Sequence, residues 1–219
     1  MAEKKEELKF FAKDFYQDEK VARTYDGNRF TSPKGRILDR AEKRALKKAL
    51  TLLSVKGPVL DIPCGTGRIT EFLLQEGYTT AGFDISREML EVAQGRLGGY
   101  RNLLDLGRAN AEDLPFVPGW FECVTSIRLM GHVPPSIRVK LLREMGRVGG
   151  HVIASFSISN PFLRLRRKVK SLLRQSSVLY PATMAEIRTE AEDAGLKLRK
   201  LIWVLPFLSE EAVLIFSKQ

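Results

Sequence analysis

Residues 59–67 are Val-Leu-Asp-Ile-Pro-Cys-Gly-Thr-Gly, a short apolar run that leads into a glycine turn. The small residues let the backbone approach a ligand, and the helix predicted at residues 66–75 points its free N–H groups at the same place. A carboxylate or a phosphate group would suit this turn. From here to residue 156, strand-like and helical segments alternate. Such alternation predicts a parallel sheet that is covered by helices on both faces.

The rest of the chain supplies further elements of both kinds. Strands are predicted from apolar runs at residues 79–84, 103–111, 121–127 and 151–156. Helices are predicted at residues 3–25, 33–50, 86–97, 135–148 and 183–195, the last opened by a capping box. Two C-terminal runs, 198–205 and 211–217, predict a hairpin with one antiparallel strand at the end of the sheet. The expected fold class is therefore α/β, with a Rossmann-like, doubly wound, mostly parallel seven-stranded sheet and a C-terminal antiparallel hairpin.

Charge and cysteine content restrict the kinds of partner. The net charge of +10 favours anionic partners such as nucleic acid, acidic lipid or a phosphorylated small molecule. The two cysteines, Cys64 and Cys123, are too few for a disulfide scaffold. No C-x-x-C or H-E-x-x-H spacing is present, so no metal site is expected.

The glycine turn can be compared with two nucleotide-binding patterns. A Walker P-loop ends in Gly-Lys followed by serine or threonine, but here Gly67 is followed by Arg68. A dinucleotide fingerprint that starts at Gly65 requires a third glycine where Thr70 stands. Asp84 ends the second predicted strand, where an acid binds ribose hydroxyls in several classes of nucleotide site. The P-loop pattern therefore fails, the dinucleotide match is poor, and Asp84 does not discriminate.

Three further segments that resemble family motifs follow the glycine turn along the chain. Residues 81–86 are Ala-Gly-Phe-Asp-Ile-Ser, residues 109–116 are Ala-Asn-Ala-Glu-Asp-Leu-Pro-Phe, and residues 121–126 are Phe-Glu-Cys-Val-Thr-Ser. With residues 59–67 they resemble the four motifs of class I S-adenosylmethionine-dependent methyltransferases of the small-molecule type. The resemblance covers about residues 55–157 well and the C-terminal hairpin in outline. It implies that the cofactor is S-adenosyl-L-methionine.

The resemblance implies a role for each matching position. Gly65 and Gly67 would pass under the methionine part of the cofactor, and Asp61 would lie below them and orient the turn. Asp84 would accept hydrogen bonds from the ribose hydroxyls. The remaining cofactor-binding positions that it implies are Pro63, Cys64, Thr66, Ile85, Asn110, Ala111, Glu112 and, from the N-terminal helices, Tyr25.

Two positions depart from the family's pattern. Pro63 stands where glycine is most common, so the turn must tolerate a fixed φ and a missing donor. Asn110 stands where aspartate is common, but its carbonyl still offers an acceptor to the adenine amine. A purely structural explanation remains open, in which Gly65 and Gly67 make a tight turn and Asp84 caps the next helix.

His132 and Arg128 follow the fourth predicted strand, on the side where the cofactor should lie. Methyl transfer from a sulfonium mainly requires alignment and exclusion of water, and a base is needed only for a protonated nucleophile. His132 is the catalytic candidate, because its ordinary pKa suits a base; otherwise it lines the pocket or caps a helix. Arg128 either holds an anionic substrate or pairs with a local carboxylate. Arg29 is a second substrate-side candidate, over the site from the N-terminal helices.

As one domain of residues 1–219, the chain divides into four parts. We expect N-terminal helices at 1–54, a cofactor-binding core at 55–157, a basic insertion at 158–182, and a C-terminal helix with the hairpin at 183–219. No apolar run reaches the length of a membrane span, and the charged N-terminus lacks the apolar stretch of a secretory signal. A cytoplasmic location is therefore expected.

The insertion contains a basic amphipathic helix predicted at residues 160–174. It would be a lid over the substrate pocket, a solvated helix, a contact with an acidic membrane surface or, less favoured, a nucleic-acid contact. The sequence therefore predicts a methyltransferase for a small molecule, of an apolar, quinone-like or lipid-linked kind. The alternatives are an RNA or protein methyltransferase and a cofactor-binding module without catalysis.

Overall fold

A computed structural model describes residues 27, 29–159, 180–206 and 209–219. The strands are β1 (Val59–Asp61), β2 (Thr80–Asp84), β3 (Leu103–Arg108), β4 (Phe121–Ser126), β5 (Gly149–Ser157), β6 (Leu196–Trp203) and β7 (Glu211–Lys218). They form one sheet in the order β3-β2-β1-β4-β5-β7-β6. Strands β1 to β5 pair in parallel, whereas β7 is antiparallel to both β5 and β6. The expected fold class is confirmed.

Helices cover both faces of this sheet. They are α1 (Pro33–Leu53), α2 (Arg68–Gln75), α3 (Arg87–Leu97), α4 (Pro135–Val148) and α5 (Met184–Asp193), with a 3₁₀ turn at Met130–His132. The central strands alternate their side chains between two apolar cores. Val59 packs with α1 and α2 on one face, while Leu60 packs with α4 and α5 on the other. Each fully buried aliphatic side chain stabilises the fold by about 1.5–3 kcal/mol.

Three helices begin where side chains cap their first turn. The Ser32 hydroxyl accepts from the Gly35 amide at 3.0 Å, and the Ser86 hydroxyl accepts from the Met89 amide at 3.1 Å. Thr183 and Glu186 form the predicted capping box, in which each side chain accepts from the other residue's amide. These local hydrogen bonds satisfy N–H groups that would otherwise lack partners. The capping residues therefore predict from the sequence where these helices begin.

Two predicted element boundaries are wrong. The helix predicted at 66–75 begins at Arg68, because Gly67 has φ of 80° and stays in the turn. The third strand, predicted to reach residue 111, ends at Arg108, which is its last pairing partner of β2. Residues 109–111 therefore lie beyond the sheet, where they can contact a ligand.

The hairpin is confirmed, but the antiparallel strand is not at the end of the sheet. Strand β7 lies between β5 and β6, and β6 is the outer strand. Residues 212–216 of β7 are buried in succession, which suits a strand with neighbours on both sides. Strand β6 instead exposes Lys197, Arg199 and Lys200, and exposed basic side chains protect a sheet edge.

Two predicted segments lie outside the described residues. These are the charged helix at residues 3–25 and the basic helix at residues 160–174, and both stay predictions. Among the helices that the structure does describe, none has both the length and the apolar character needed to cross a bilayer.

A buried ion pair joins α4 to α5. Arg138 is 2% exposed, and its Nε and Nη2 contact the two carboxylate oxygens of Glu190 at 2.8 and 2.5 Å. The same guanidinium donates to the carbonyls of Val133 and Tyr180 at 3.3 and 3.0 Å. The pair therefore links two helices to the backbone at Val133 and Tyr180, and both charged groups are buried.

We expect Glu190→Gln to lower the free energy of unfolding by about 3–5 kcal/mol, because it leaves the buried Arg138 guanidinium without its counter-charge. Urea denaturation followed by circular dichroism measures this change. The control is Glu91→Gln, which removes an exposed pair with Arg87 and should cost less than about 1 kcal/mol. Equal costs for the two variants would contradict the role assigned to the buried pair.

Candidate functional site

A cavity lies at the carboxyl ends of β1 to β4. In a doubly wound sheet this is where the strand order changes direction, here between β1 and β4, and where ligands bind. Four loops, one after each strand, supply most of its wall. The lining residues are Ile62, Pro63, Cys64, Gly65, Thr66, Arg68, Ile69, Asp84, Ile85, Met89, Ala109, Asn110, Ala111, Glu112, Ile127, Arg128, Leu129, His132 and Leu141.

The glycine turn after β1 forms the floor of the cavity. Gly65 has φ of 55°, and a Cβ added there would meet no atom within 4 Å. Gly67 also has a positive φ, but a Cβ there would lie 3.0 Å from Leu97 and 3.2 Å from Ala93 of α3. The two glycines therefore serve different purposes: Gly65 leaves open space at the cavity, while Gly67 lets α2 pack against α3.

Asp84 connects the end of β2 to the glycine turn. Its two carboxylate oxygens accept from the amides of Gly65 at 2.8 Å and Ser86 at 2.9 Å. The carboxyl group is 5% exposed, and burial raises its pKa while the backbone hydrogen bonds oppose that rise. A carboxylate has about four acceptor positions, so Asp84 keeps acceptor capacity for a ligand's hydroxyl group beside its backbone hydrogen bonds. Asp84 thus both shapes the turn and presents acceptors beside it.

Asp61 lies beneath the turn and outside the cavity lining. Its carboxyl group is fully buried and accepts from the hydroxyls of Thr70 at 2.7 Å and Thr125 at 3.1 Å. Burial raises the pKa of Asp61 to about 7, against the lowering effect of these two hydrogen bonds. The carboxyl group joins β1 to α2 and β4 directly under the residues that would hold a ligand.

The loops after β3 and β4 face each other across the cavity. Asn110, Ala111 and Glu112 lie on one side, and the Asn110 side chain accepts from the Glu112 amide at 3.2 Å. His132 lies in the 3₁₀ turn after β4, where it is half-buried. Ile85 and the residues of the β3 loop line the same cavity. Polar groups and an apolar slot are thus combined in one pocket, as in most small-ligand sites.

A buried carboxylate that the sequence reasoning missed lies behind this wall. Glu42 of α1 is 1% exposed and contacts two cavity-lining arginines, Arg128 at 2.5 Å and Arg68 at 3.0 Å. Its position was a detectable signal, because Glu42 interrupts the helical apolar spacing of Leu38, Ala45 and Leu46. A charged residue on the buried stripe of a helix requires a partner.

The structure brings most of the predicted site residues together. Eleven of them line the cavity: Pro63, Cys64, Gly65, Thr66, Asp84, Ile85, Asn110, Ala111, Glu112, Arg128 and His132. Asp61 and Gly67 support it from below, Arg29 is half-buried but not part of the lining, and Tyr25 lies outside the described residues. Cys64 is buried, which raises its thiol pKa and agrees with a packing role. The individual roles of these residues stay predictions.

The fold and the cavity define an α/β protein with a ligand site at the carboxyl ends of parallel strands. Residues 59–149 match the family model described as methyltransferase domain. This match agrees with the resemblance to class I S-adenosylmethionine-dependent methyltransferases that the four sequence segments carry.

The curated relatives and the solved structure described next are all named methyltransferases. The chain is 33% identical over 117 residues to a ubiquinone biosynthesis O-methyltransferase of Thiobacillus denitrificans, covering 52% of this chain and 47% of that protein. It is 40% identical over 85 residues to an 18S rRNA (guanine-N(7))-methyltransferase of Schizosaccharomyces pombe, covering 37% of this chain and 30% of that protein. The chain spans about half the length of the first curated relatives it matches.

A similar solved structure is magnesium protoporphyrin IX methyltransferase from Synechocystis PCC 6803 with bound S-adenosylhomocysteine. The two chains superpose with a TM-score of 0.77 at 18% identity, covering 95% of this chain and 99% of the other. At this identity the likeness shows the fold.

We expect Asp61→Asn to stabilise the protein more at pH 8 than at pH 4. The folded state holds Asp61 protonated up to about pH 7, whereas the unfolded chain ionises near pH 3.9. The wild type therefore loses stability as the pH rises through this window, and the asparagine variant does not. Free energies of unfolding from urea titrations at pH 4, 6 and 8 measure the difference. A difference that is constant with pH would contradict the protonated, buried state of Asp61.

Proposed function

We propose that this chain binds S-adenosyl-L-methionine in the cavity and transfers its methyl group to a small, apolar acceptor of quinone-like or lipid-linked character. One observation supports this above all: the glycine turn, Asp84 and Asn110, which are far apart in sequence, face the same cavity. The match of residues 59–149 to a methyltransferase domain supports the same reaction.

The lining of the cavity suits the methionyl, ribose and adenine groups of the cofactor. The open space at Gly65 is a cradle that a Cβ would fill, which suits the close approach of a methionyl chain. The remaining acceptor capacity of Asp84 suits a ribose hydroxyl. Ile85 and Met89 offer an apolar surface for adenine, and the Asn110 carbonyl offers an acceptor for its amine. Each of these roles rests on position and chemistry together.

The bound cofactor would supply an electrophilic methyl group on a positively charged sulfur. The chain's own residues then have to hold the acceptor in line with that carbon and exclude water. Ile127, Leu129 and Leu141 form an apolar wall near His132, which suits an apolar acceptor. We propose His132 as the base for a hydroxyl nucleophile, because it is the histidine of the cavity lining.

The name of the curated relatives supports the acceptor class. Six of the first matches are ubiquinone biosynthesis O-methyltransferases, whose name denotes transfer to oxygen. A second candidate function is RNA methylation, which the segment similar to the 18S rRNA methyltransferase and the net charge of +10 favour. RNA binding would fall steeply with salt, whereas binding of a neutral small acceptor would not.

Calorimetric titration tests the cofactor assignment. We expect the wild type to bind S-adenosylmethionine at micromolar concentration and NAD not at all. Asp84→Ala should weaken cofactor binding at least about tenfold, because the hydrogen bond from ribose is lost together with the one that holds the Gly65 amide. The control is Asp105→Ala, an exposed aspartate of β3 that does not line the cavity, which should bind as the wild type does.

Two results of this titration would contradict the proposal. Equal cofactor affinity of Asp84→Ala and the wild type would refute the ribose assignment. Absence of S-adenosylmethionine binding by the folded wild type would refute the proposed activity.

We expect His132→Ala to slow methyl transfer to a catechol at least about a hundredfold at neutral pH, because general base catalysis typically contributes that much. The affinity for S-adenosylmethionine should be unchanged. Transfer of a tritiated methyl group measures the rate, and calorimetry measures the affinity. The control is His151→Ala, which alters the histidine of β5 that does not line the cavity. Full activity of His132→Ala would exclude a base role.

A further inference from the structure

Two arginines in the cavity wall share one buried carboxylate. Arg68 lies at the first position of α2, and Arg128 follows β4, so they approach the site from two sides. Between them, Glu42 Oε1 accepts a hydrogen bond from the Arg128 Nε at 2.5 Å, and Glu42 Oε2 lies 3.0 Å from the Arg68 Nη2 as an ion pair. Because Glu42 is 1% exposed, water screens these contacts only weakly, and the three side chains form one electrostatic unit.

Further charged groups face the same unit. Asp39 contacts the Arg68 Nη1 at 2.5 Å and is itself within 3.1 Å of the Lys43 amine. Glu211 of β7 lies 3.8 Å from the Arg128 Nη2, and its pKa is raised to about 7 by burial and by the charge of Glu42. Three carboxyl groups therefore face two guanidinium groups and one amine, so the charges nearly cancel.

An aromatic ring completes this arrangement. The Phe30 ring lies 4.3 Å from the guanidinium carbon of Arg68 and 5.2 Å from that of Arg128. The side chains of Arg68 and Arg128 are 12% and 18% exposed, so both guanidinium groups are held in place rather than extended into solvent. Both guanidinium groups contact protein carboxylates and this ring.

Arginine in a pocket wall ordinarily attracts anions, through its charge and its fork of donors. Here the negative charge of Glu42, which contacts both arginines, offsets their attraction for anions. We propose that Glu42 is a specificity-determining residue, which neutralises Arg68 and Arg128 so that the cavity accepts uncharged molecules and disfavours anionic ones. This inference deepens the proposed function and rests on it only in calling those molecules methyl acceptors.

Three probes of equal shape test the proposal: benzoate, benzamide and benzamidine, which are anionic, neutral and cationic. Their binding to the cofactor-free protein is measured by calorimetry at pH 8. At this pH Glu211 is ionised, so it contributes the same charge before and after the substitution of Glu42. The wild type should bind benzoate no more tightly than benzamide.

Glu42→Gln should bind benzoate about tenfold more tightly than the wild type, with benzamide unchanged, because one uncompensated positive charge then faces the cavity. Arg128→Met should instead favour benzamidine, because it leaves an excess carboxylate. The double variant Glu42→Gln, Arg128→Met should return to the wild-type order of affinities. If Glu42→Gln fails to fold, the change in benzamidine binding by Arg128→Met tests the proposal by itself.

The control is Glu144→Gln, which removes a carboxylate that pairs with Arg147 at 2.8 Å and does not line the cavity. It should leave the benzoate-to-benzamide ratio unchanged. The proposal is overturned if Glu42→Gln binds benzoate no better than the wild type, if it shows no benzoate binding, or if Glu144→Gln shifts the ratio equally. Since the probes require no cofactor, these results are independent of whether S-adenosylmethionine binds or transfer occurs.

Discussion

The buried carboxyl group of Asp61 is the interaction on which the site depends. It accepts hydrogen bonds from Thr70 of α2 and Thr125 of β4, and so joins three elements at the point where the strand order reverses. Burying a carboxyl group is unfavourable unless it is hydrogen-bonded or neutral, and its raised pKa reflects this. The glycine turn that forms the cavity floor lies directly above. Asp61 therefore keeps the turn, the following helix and the neighbouring strand in register.

Two layers of charge surround the cavity, and they differ in kind. Asp84, at the end of β2, accepts from the Gly65 amide and still has acceptor positions toward the cavity. Glu42 lies one layer further back and contacts Arg68 and Arg128 rather than the cavity itself. The first layer can bind a ligand directly. The second sets the charge that a ligand meets, and it comes from α1, the helix that precedes β1.

Local chemistry explains why much of the fold is predictable. Caps at Ser32, Ser86 and Thr183 depend on side chains within three residues, so they are visible in the sequence. The wrong predictions concern features that depend on neighbouring strands in space rather than on the local sequence. Strand β3 ends where its pairing with β2 ends, at Arg108, and β7 lies inside the sheet because it has partners on both sides. No local pattern encodes either outcome.

By itself, the sequence determined the alternation of strands and helices, the resemblance to methyltransferases, and most of the residues at the cavity, because each motif is a short segment at the end of one strand. Only the tertiary structure decided how charges are paired. Arg128 could hold an anion or a local carboxylate, and its partner Glu42 is 86 residues away on another helix. Electrostatic pairing depends on distance in space and on burial, and neither is written in the order of residues.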